Sequence, residues 1–235
     1  RQMCIRDRAY IASLFGYQAP FIFAFIIVSI FIVFCHRNVS DIPKQEKKVR
    51  PDAPYKRRLL LGWGLSLIAT IHLTFLPSIL PAILKGFQLV EEVALRSAGT
   101  IIMSYTVTAI LGNYLLSRLS SKIGLKKIIT LSCLSAAFFQ VLLIVSKGVL
   151  SFMVIRVIQT GFIAAVFPLM LSIFARDVGG GTIGFLNSAR FFGNAVGPLM
   201  ATSVLAYSNL LTLYISIAAL TLGSLWAFLH STKEI

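Results

Sequence analysis

Carboxylates are scarce in this chain: eight aspartates and glutamates stand against 22 lysines and arginines in 235 residues. Charged residues of both signs make up 13%, about half the share expected of a soluble domain, while hydrophobic residues reach 57%. A soluble protein of this size needs a charged outer surface, and too few residues are present to build one. The composition therefore excludes an ordinary soluble domain and indicates an integral membrane protein.

Cysteine and catalytic motifs are equally sparse. Cys4, Cys35 and Cys133 are odd in number and have no paired or metal-like spacing, which excludes a disulfide framework and a zinc site. The sequence contains no Walker motif, glycine-rich nucleotide loop, HExxH or nucleophile elbow. We therefore predict no enzyme, no metal and no cofactor.

Long hydrophobic runs are what the chain does contain. A helix needs about 20 residues to cross a bilayer. Seven stretches meet this length: Leu14–Cys35, Leu59–Leu84, Val93–Leu116, Ile128–Ser146, Val149–Phe174, Ile183–Tyr207 and Leu210–Leu229. We predict an all-α membrane protein in which residues 9–36 form one transmembrane helix. A basic linker, residues 37–58, then leads to a six-helix bundle, residues 59–235.

The distribution of positive charge predicts the orientation. With the linker in the cytoplasm, fourteen lysines and arginines lie on that side, against Lys85 and Lys147 with Arg96 at the border. Cytoplasmic loops carry such an excess, so we predict a cytoplasmic C-terminus. The net charge of +14 is spread over short gaps between apolar runs, which argues against binding to nucleic acid.

A stripe of small residues marks the sixth stretch. Glycine or alanine recurs every four residues, at Ala189, Gly193, Gly197 and Ala201. Such a stripe lets the backbone of another helix approach closely in lipid. Pro198 completes a G-x8-G-x3-GP pattern that begins at Gly184, and its missing backbone donor predicts a local bend.

Polar side chains inside the stretches are candidates for lining a substrate cavity. Asn187, Arg190 and Asn194 lie within about 60° of arc on one helix. An arginine this deep is costly unless it faces protein or water, although Arg190 could instead snorkel to the cytoplasmic headgroups. The further candidates are Arg156 and Gln159 in the fifth stretch, and Thr70 and Thr74 in the second.

The remaining polar features of the stretches are isolated. His72 could relay protons, or it could be a hydrogen-bonded packing residue. Pro77 and Pro81 in the same stretch predict a helix that flexes near a transport path. The fourth and seventh stretches are plain, with Gln140 the one conspicuous polar residue of the fourth, and are expected to face lipid.

Taken in order, residues 9–235 resemble the second half of a major facilitator superfamily transporter, most of all the twelve-span drug:proton antiporters. GYQAPFIFAF at residues 16–25 resembles the start of that family's sixth span, and the linker resembles its central cytoplasmic loop. The other six stretches resemble spans seven to twelve. The resemblance implies a six-helix bundle of this type plus one extra transmembrane helix from the other half.

Three motifs carry the resemblance further. SRLSSKIGLKK at residues 117–127 resembles the loop motif GxLxDRxGRR, with Ser121 in place of the acidic residue. Its matching positions are Leu119, Lys122, Gly124, Lys126 and Lys127. Arg156 and Gln159 resemble the R-x-x-Q core of the fourth-span motif. The motif at Gly184, Gly193, Gly197 and Pro198 has the spacing of the fifth-span antiporter motif, transposed here to the structural counterpart of that span.

The resemblance implies a secondary transporter in the plasma membrane that exports small amphipathic molecules in exchange for protons, by alternating access between two bundles. Its partners would be the lipid bilayer, the small-molecule substrate, protons and a missing N-terminal bundle that supplies the proton-binding carboxylates. Residues 1–8, RQMCIRDR, resemble translated sequencing-adaptor read-through, so we expect a non-native tail. The alternatives are a metabolite uniporter or symporter of the same fold, and a non-transporting seven-span subunit.

Overall fold

The computed structural model describes residues 19–38, 53–174 and 180–231. It divides the chain into two compact units, residues 1–46 and 47–235, with the boundary inside the predicted linker. The first unit is described through one helix, α1 (Ala19–Asn38), in which Ile22 and the large hydrophobic side chains from Phe25 to Phe34 are exposed. The expected tail, the start of the first predicted span and most of the linker lie outside the described residues.

The second unit consists of helices throughout its described residues. They are α2 (Ala53–Thr74), α3 (Leu76–Gly86), α4 (Glu91–Ile123), α5 (Leu125–Leu142), α6 (Val149–Ile163), α7 (Val166–Phe174), α8 (Gly180–Tyr207) and α9 (Leu210–Ser231). A 3₁₀ turn at Leu143–Val145 extends α5. Each predicted stretch from the second to the seventh falls on one helix or on a broken pair, which confirms the all-α prediction.

Proline breaks two of the predicted spans. α2 and α3 meet at Phe75 with a bend of 43°, where the missing donor of Pro77 leaves the carbonyl of Leu73 without its helical partner. α6 and α7 are separated by Ala164 and Ala165, and the carbonyl of Ala164 is the one that Pro168 cannot bond. α8, in contrast, is continuous through Pro198, so the bend expected there does not interrupt the helix.

Length and composition support membrane crossing for part of this set. Four helical segments are long and apolar enough: Arg96–Ile123, Leu125–Val145, Val149–Phe174 and Leu210–Ser231. The bent α2–α3 pair makes a fifth, and α1 contributes the shorter apolar segment Phe25–Phe34. α8 is long enough at 28 residues, but Asn187, Arg190 and Asn194 lower its mean hydropathy. The residues that weaken α8 as a span are thus the ones that make it a candidate for function.

Two apolar clusters form the core of the second unit. One lies at the end of the bundle formed by α3 and the start of α4, around Leu80, Ile101 and Phe152. The other lies at the opposite end, around Ile129 and Met170. α5 and α9 also present exposed apolar side chains to their surroundings: Leu134, Phe138, Leu220 and Trp226.

Candidate functional site

Polar residues of three helices meet in one groove of about 460 Å³. Its polar lining comes from Thr70 and Thr74 of α2, Thr106 and Asn113 of α4, and Arg190 and Asn194 of α8. The segment around the α6–α7 break supplies an apolar wall that includes Phe167. Thr106 is residue 16 of the 33 in α4, and Asn194 is residue 15 of the 28 in α8. The groove therefore lies near the middle of the helices.

The small-residue stripe brings α8 onto α2. Ala189 and Ala201 are 0% exposed, and a Cβ atom on Gly193 would lie 2.7 Å from Cβ of Thr70. The proton of Thr74 Oγ1 is shared between the carbonyl of Thr70 at 3.0 Å and that of Gly193 at 3.2 Å, and the second contact joins the two helices across the stripe. This close approach puts Arg190 and Asn194 beside Thr70 and Thr74 in the groove.

Alanine at Gly193 or Gly197 is expected to push α8 away from α2. The added methyl group would meet Thr70 and the Leu67 carbonyl at Gly193, or Thr74 at Gly197. Overpacking of this kind costs about 1–3 kcal/mol, which thermal unfolding in detergent would measure. Gly184→Ala is the matched control, because no atom lies within 4 Å of its new Cβ. Equal destabilisation by all three changes would contradict this assignment.

Arg190 is exposed and lies in the groove. Its guanidinium carbon is 5.9 Å from the ring centroid of Phe167, within the range of a cation–π contact. Ten residues, or about 15 Å of helix, separate it from the first residue of α8. The structure therefore brings Arg190 together with Thr70, Thr74 and Asn194, four of the seven predicted cavity residues.

The other three predicted cavity residues lie elsewhere. Asn187 is half-buried one turn before Arg190 and is not part of the groove lining. Arg156 and Gln159 are 0% exposed, in a polar layer where the two apolar clusters meet. Their burial separates them from the groove in this conformation, so contact with a substrate stays a prediction for these two residues.

The Arg156 guanidinium is held by dipoles and aromatic rings. It donates from Nη1 to Oε1 of Gln159 at 2.7 Å, and from Nη2 to the carbonyl of His72. Its Cζ lies 5.0 Å from the ring centroid of Phe75 and 5.1 Å from that of Tyr105. None of these partners is a carboxylate. These contacts of the buried Arg156 side chain connect α6 to α2, to α4 and to the bend at Phe75.

His72 extends this network to α9. Its Nε2 lies 2.8 Å from Oγ1 of Thr221, whose hydroxyl donates to the carbonyl of Ile217 at 2.7 Å. Because a hydroxyl has one proton, we assign Nε2 of His72 as the donor and Nδ1 as the acceptor of a 3.4 Å bond from Gln159. Gln159 Nε2 also donates to Oε1 of Gln140 on α5. The geometry supports the packing interpretation of His72.

Sequence reasoning did not single out three groove residues, Thr106, Asn113 and Phe167. Thr106 and Asn113 are seven residues apart, which places them on one face of α4, so helical periodicity could have found them. Phe167 gave no such signal, because an aromatic residue in an apolar helix is unremarkable. Within the described ranges, no cluster of metal-ligating side chains occurs.

The loop motif at residues 117–127 forms a connector of one residue. α4 ends at Ile123, α5 begins at Leu125, and Gly124 between them has a φ of 101°, a region that favours glycine. Lys122, Lys126 and Lys127 are exposed, and Leu119 is half-buried. Ser121, at the acidic position of the family motif, donates to the carbonyl of Arg118 at 2.7 Å, a contact within its own helix.

Apolar helices long enough to cross a membrane, packed around an amphipathic groove near their middle, indicate a multi-pass α-helical membrane protein. The model of the Major Facilitator Superfamily matches residues 62–234, and the chain belongs to this superfamily of membrane transporters. A search of the curated proteins finds no match. The family match confirms the superfamily resemblance drawn from the sequence.

Proposed function

We propose that the chain is the substrate-contacting bundle of a secondary exporter that exchanges small amphipathic molecules for protons. It works with a second bundle of the same fold, in the plasma membrane and with its C-terminus in the cytoplasm. The groove is the observation that carries this proposal. Its hydroxyl, amide and guanidinium groups face an apolar wall, a combination that suits a substrate with one polar and one apolar end.

The exporter assignment is supported by the G-x8-G-x3-GP spacing on α8. Two of its glycines, Gly193 and Gly197, lie against α2 beside the groove. A change in how closely these helices approach would therefore change the shape of the groove. The described residues of the lining include no aspartate or glutamate, so we propose that the proton-binding carboxylate belongs to the other bundle.

The same lining favours a second candidate, a metabolite uniporter or symporter. The described lining offers no carboxylate that would couple substrate movement to a proton. The seven-span subunit that does not transport is the third alternative, and any transport by the purified protein would exclude it.

Extrusion of an amphipathic dye tests the proposal in cells that make the protein from its complete gene. Extrusion should stop when a proton uncoupler is added while cellular ATP is maintained, because the proton gradient drives the exchange. Thr106→Ala should change the apparent KM for the dye several-fold. Extrusion that persists with the uncoupler would contradict proton exchange, and substrate uptake without extrusion would favour the second candidate.

Thr100→Ala is the matched control for this measurement. Thr100 and Thr106 are both exposed on α4 and both donate to a carbonyl of their own helix, at 3.0 and 2.7 Å. Only Thr106 lines the groove. Equal effects of the two changes on the KM would show that the groove is not the substrate path.

A further inference from the structure

We infer that the groove recognises its substrate by a negatively charged head, so that the cargo is an amphipathic organic anion. The inference rests on the proposed function, because it specifies the substrate class of the same groove. Three features of the lining carry it: the sign of its charge, its supply of hydrogen-bond donors, and the position of its apolar wall.

Among the described residues that line the groove, Arg190 is the one charged residue, and it is a cation. Its side chain is exposed, and the described lining holds no aspartate or glutamate beside it. The carboxylates of the described helices are Glu91 and Glu92, at the first turn of α4. Fifteen residues, or about 22 Å of helix, separate Glu91 from Thr106. In the described structure the positive charge of Arg190 is therefore available to pair with an anionic substrate in the groove.

The hydrogen-bond donors beside the apolar wall include those of Arg190 and Asn113. The three threonine hydroxyls already donate to backbone carbonyls, so their protons are used and they add no donor. Oδ1 of Asn113 accepts the hydroxyl of Ser117 at 3.2 Å, which leaves the amide N–H groups of Asn113 to donate. These amide N–H groups and the five N–H donors of the Arg190 guanidinium match a carboxylate, sulfonate or phosphate head, which only accepts.

The apolar wall explains why the anion should also carry an apolar body. Leu73, Ile110 and Phe167 line the groove together with Arg190. The ring of Phe167 lies beneath the guanidinium, so a head bound to Arg190 directs the rest of the molecule along an apolar surface. A cationic amphiphile of the same shape would bring like charge to Arg190.

Binding of three probes that differ only in charge tests the inference on the purified full-length protein. The probes are naphthalene-1-acetate, its neutral amide and 1-naphthylmethylammonium, each measured by equilibrium binding of the labelled compound. The acetate is expected to bind at least about tenfold more tightly than the amide. This ratio corresponds to the free energy of one charge-assisted hydrogen bond. Arg190→Gln should remove this preference, and Arg190→Lys should retain part of it.

Arg118→Gln is the matched control, since Arg118 is an exposed arginine of α4 outside the groove lining. The inference is overturned if the ammonium probe binds most tightly, if no probe binds, or if Arg190→Gln leaves the preference for the acetate unchanged. The last result would mean that a group other than Arg190 recognises the negative charge. None of these outcomes tests the proposed transport, which is tested separately by the dye measurement with the uncoupler.

Discussion

Arg156→Gln is expected to lower the free energy of unfolding by about 2–4 kcal/mol, because it removes charge-assisted hydrogen bonds and two cation–π contacts from the core. The carbonyl of His72 and the amide oxygen of Gln159 then lose a donor in a fully buried site. The shorter side chain also leaves unfilled space beside Phe75 and Tyr105. Titration of the purified protein with SDS in mixed micelles measures the change.

Arg190→Gln is the matched control for this prediction. The two arginines lie inside predicted spans and undergo the same chemical change, but Arg190 is exposed while Arg156 is 0% exposed. Arg190→Gln should leave the unfolding free energy within about 0.5 kcal/mol of the original protein. If the two variants unfold alike, the buried network does not stabilise the bundle as described here.

Gly112→Ala is expected to destabilise the bundle by about 3 kcal/mol or more, at the upper end of overpacking effects. A Cβ atom on Gly112 would lie 2.6 Å from both the carbonyl carbon and Cα of Gly161, and it would overlap the carbonyl oxygen. These are backbone atoms, so no side-chain rotation relieves the overlap. α4 and α6 would have to move apart along their shared interface, and the thermal unfolding temperature in detergent should fall.

Two further glycines show whether the effect comes from this contact. Gly161→Ala, on the opposite side of the same interface, would meet a methyl group of Thr108 at 3.1 Å, so a small side-chain shift should accommodate it. Gly99→Ala has no atom within 4 Å of the new Cβ. It should be neutral or stabilising by up to about 1 kcal/mol, because alanine favours helices. A uniform response of the three variants would refute the close approach of α4 to α6.

The sequence was sufficient to predict the helices, because hydrophobic length and proline position act locally. The α2–α3 bend occurs within two residues of Pro77, and the single-residue connector at Gly124 lies inside the loop motif. The small residues of α8 also indicated close helix packing, since a stripe that contains Gly193 and Gly197 lets the backbone of a neighbouring helix approach closely in lipid. In each case a few neighbouring residues carry the physical cause.

The groove was predicted less completely, because polarity alone does not say which way a helix faces. Arg156 and Arg190 are both arginines within predicted spans, and both were assigned to the cavity. The structure buries the first and exposes the second. The difference depends on partners that are distant in the chain, such as the carbonyl of His72, which is 84 residues from Arg156. No local pattern contains that information.

The buried arginine also has a consequence for how the chain enters the membrane during synthesis. An arginine at the centre of an isolated helix raises the insertion free energy by about 2.5–3.5 kcal/mol. The groups that contact Arg156 are His72, Phe75, Tyr105 and Gln159. The first three precede it in the chain, and the fourth is on its own helix. When α6 is inserted during synthesis, the carbonyl of His72 and the rings of Phe75 and Tyr105 are already in the bilayer. Thr221 of α9 completes the network last.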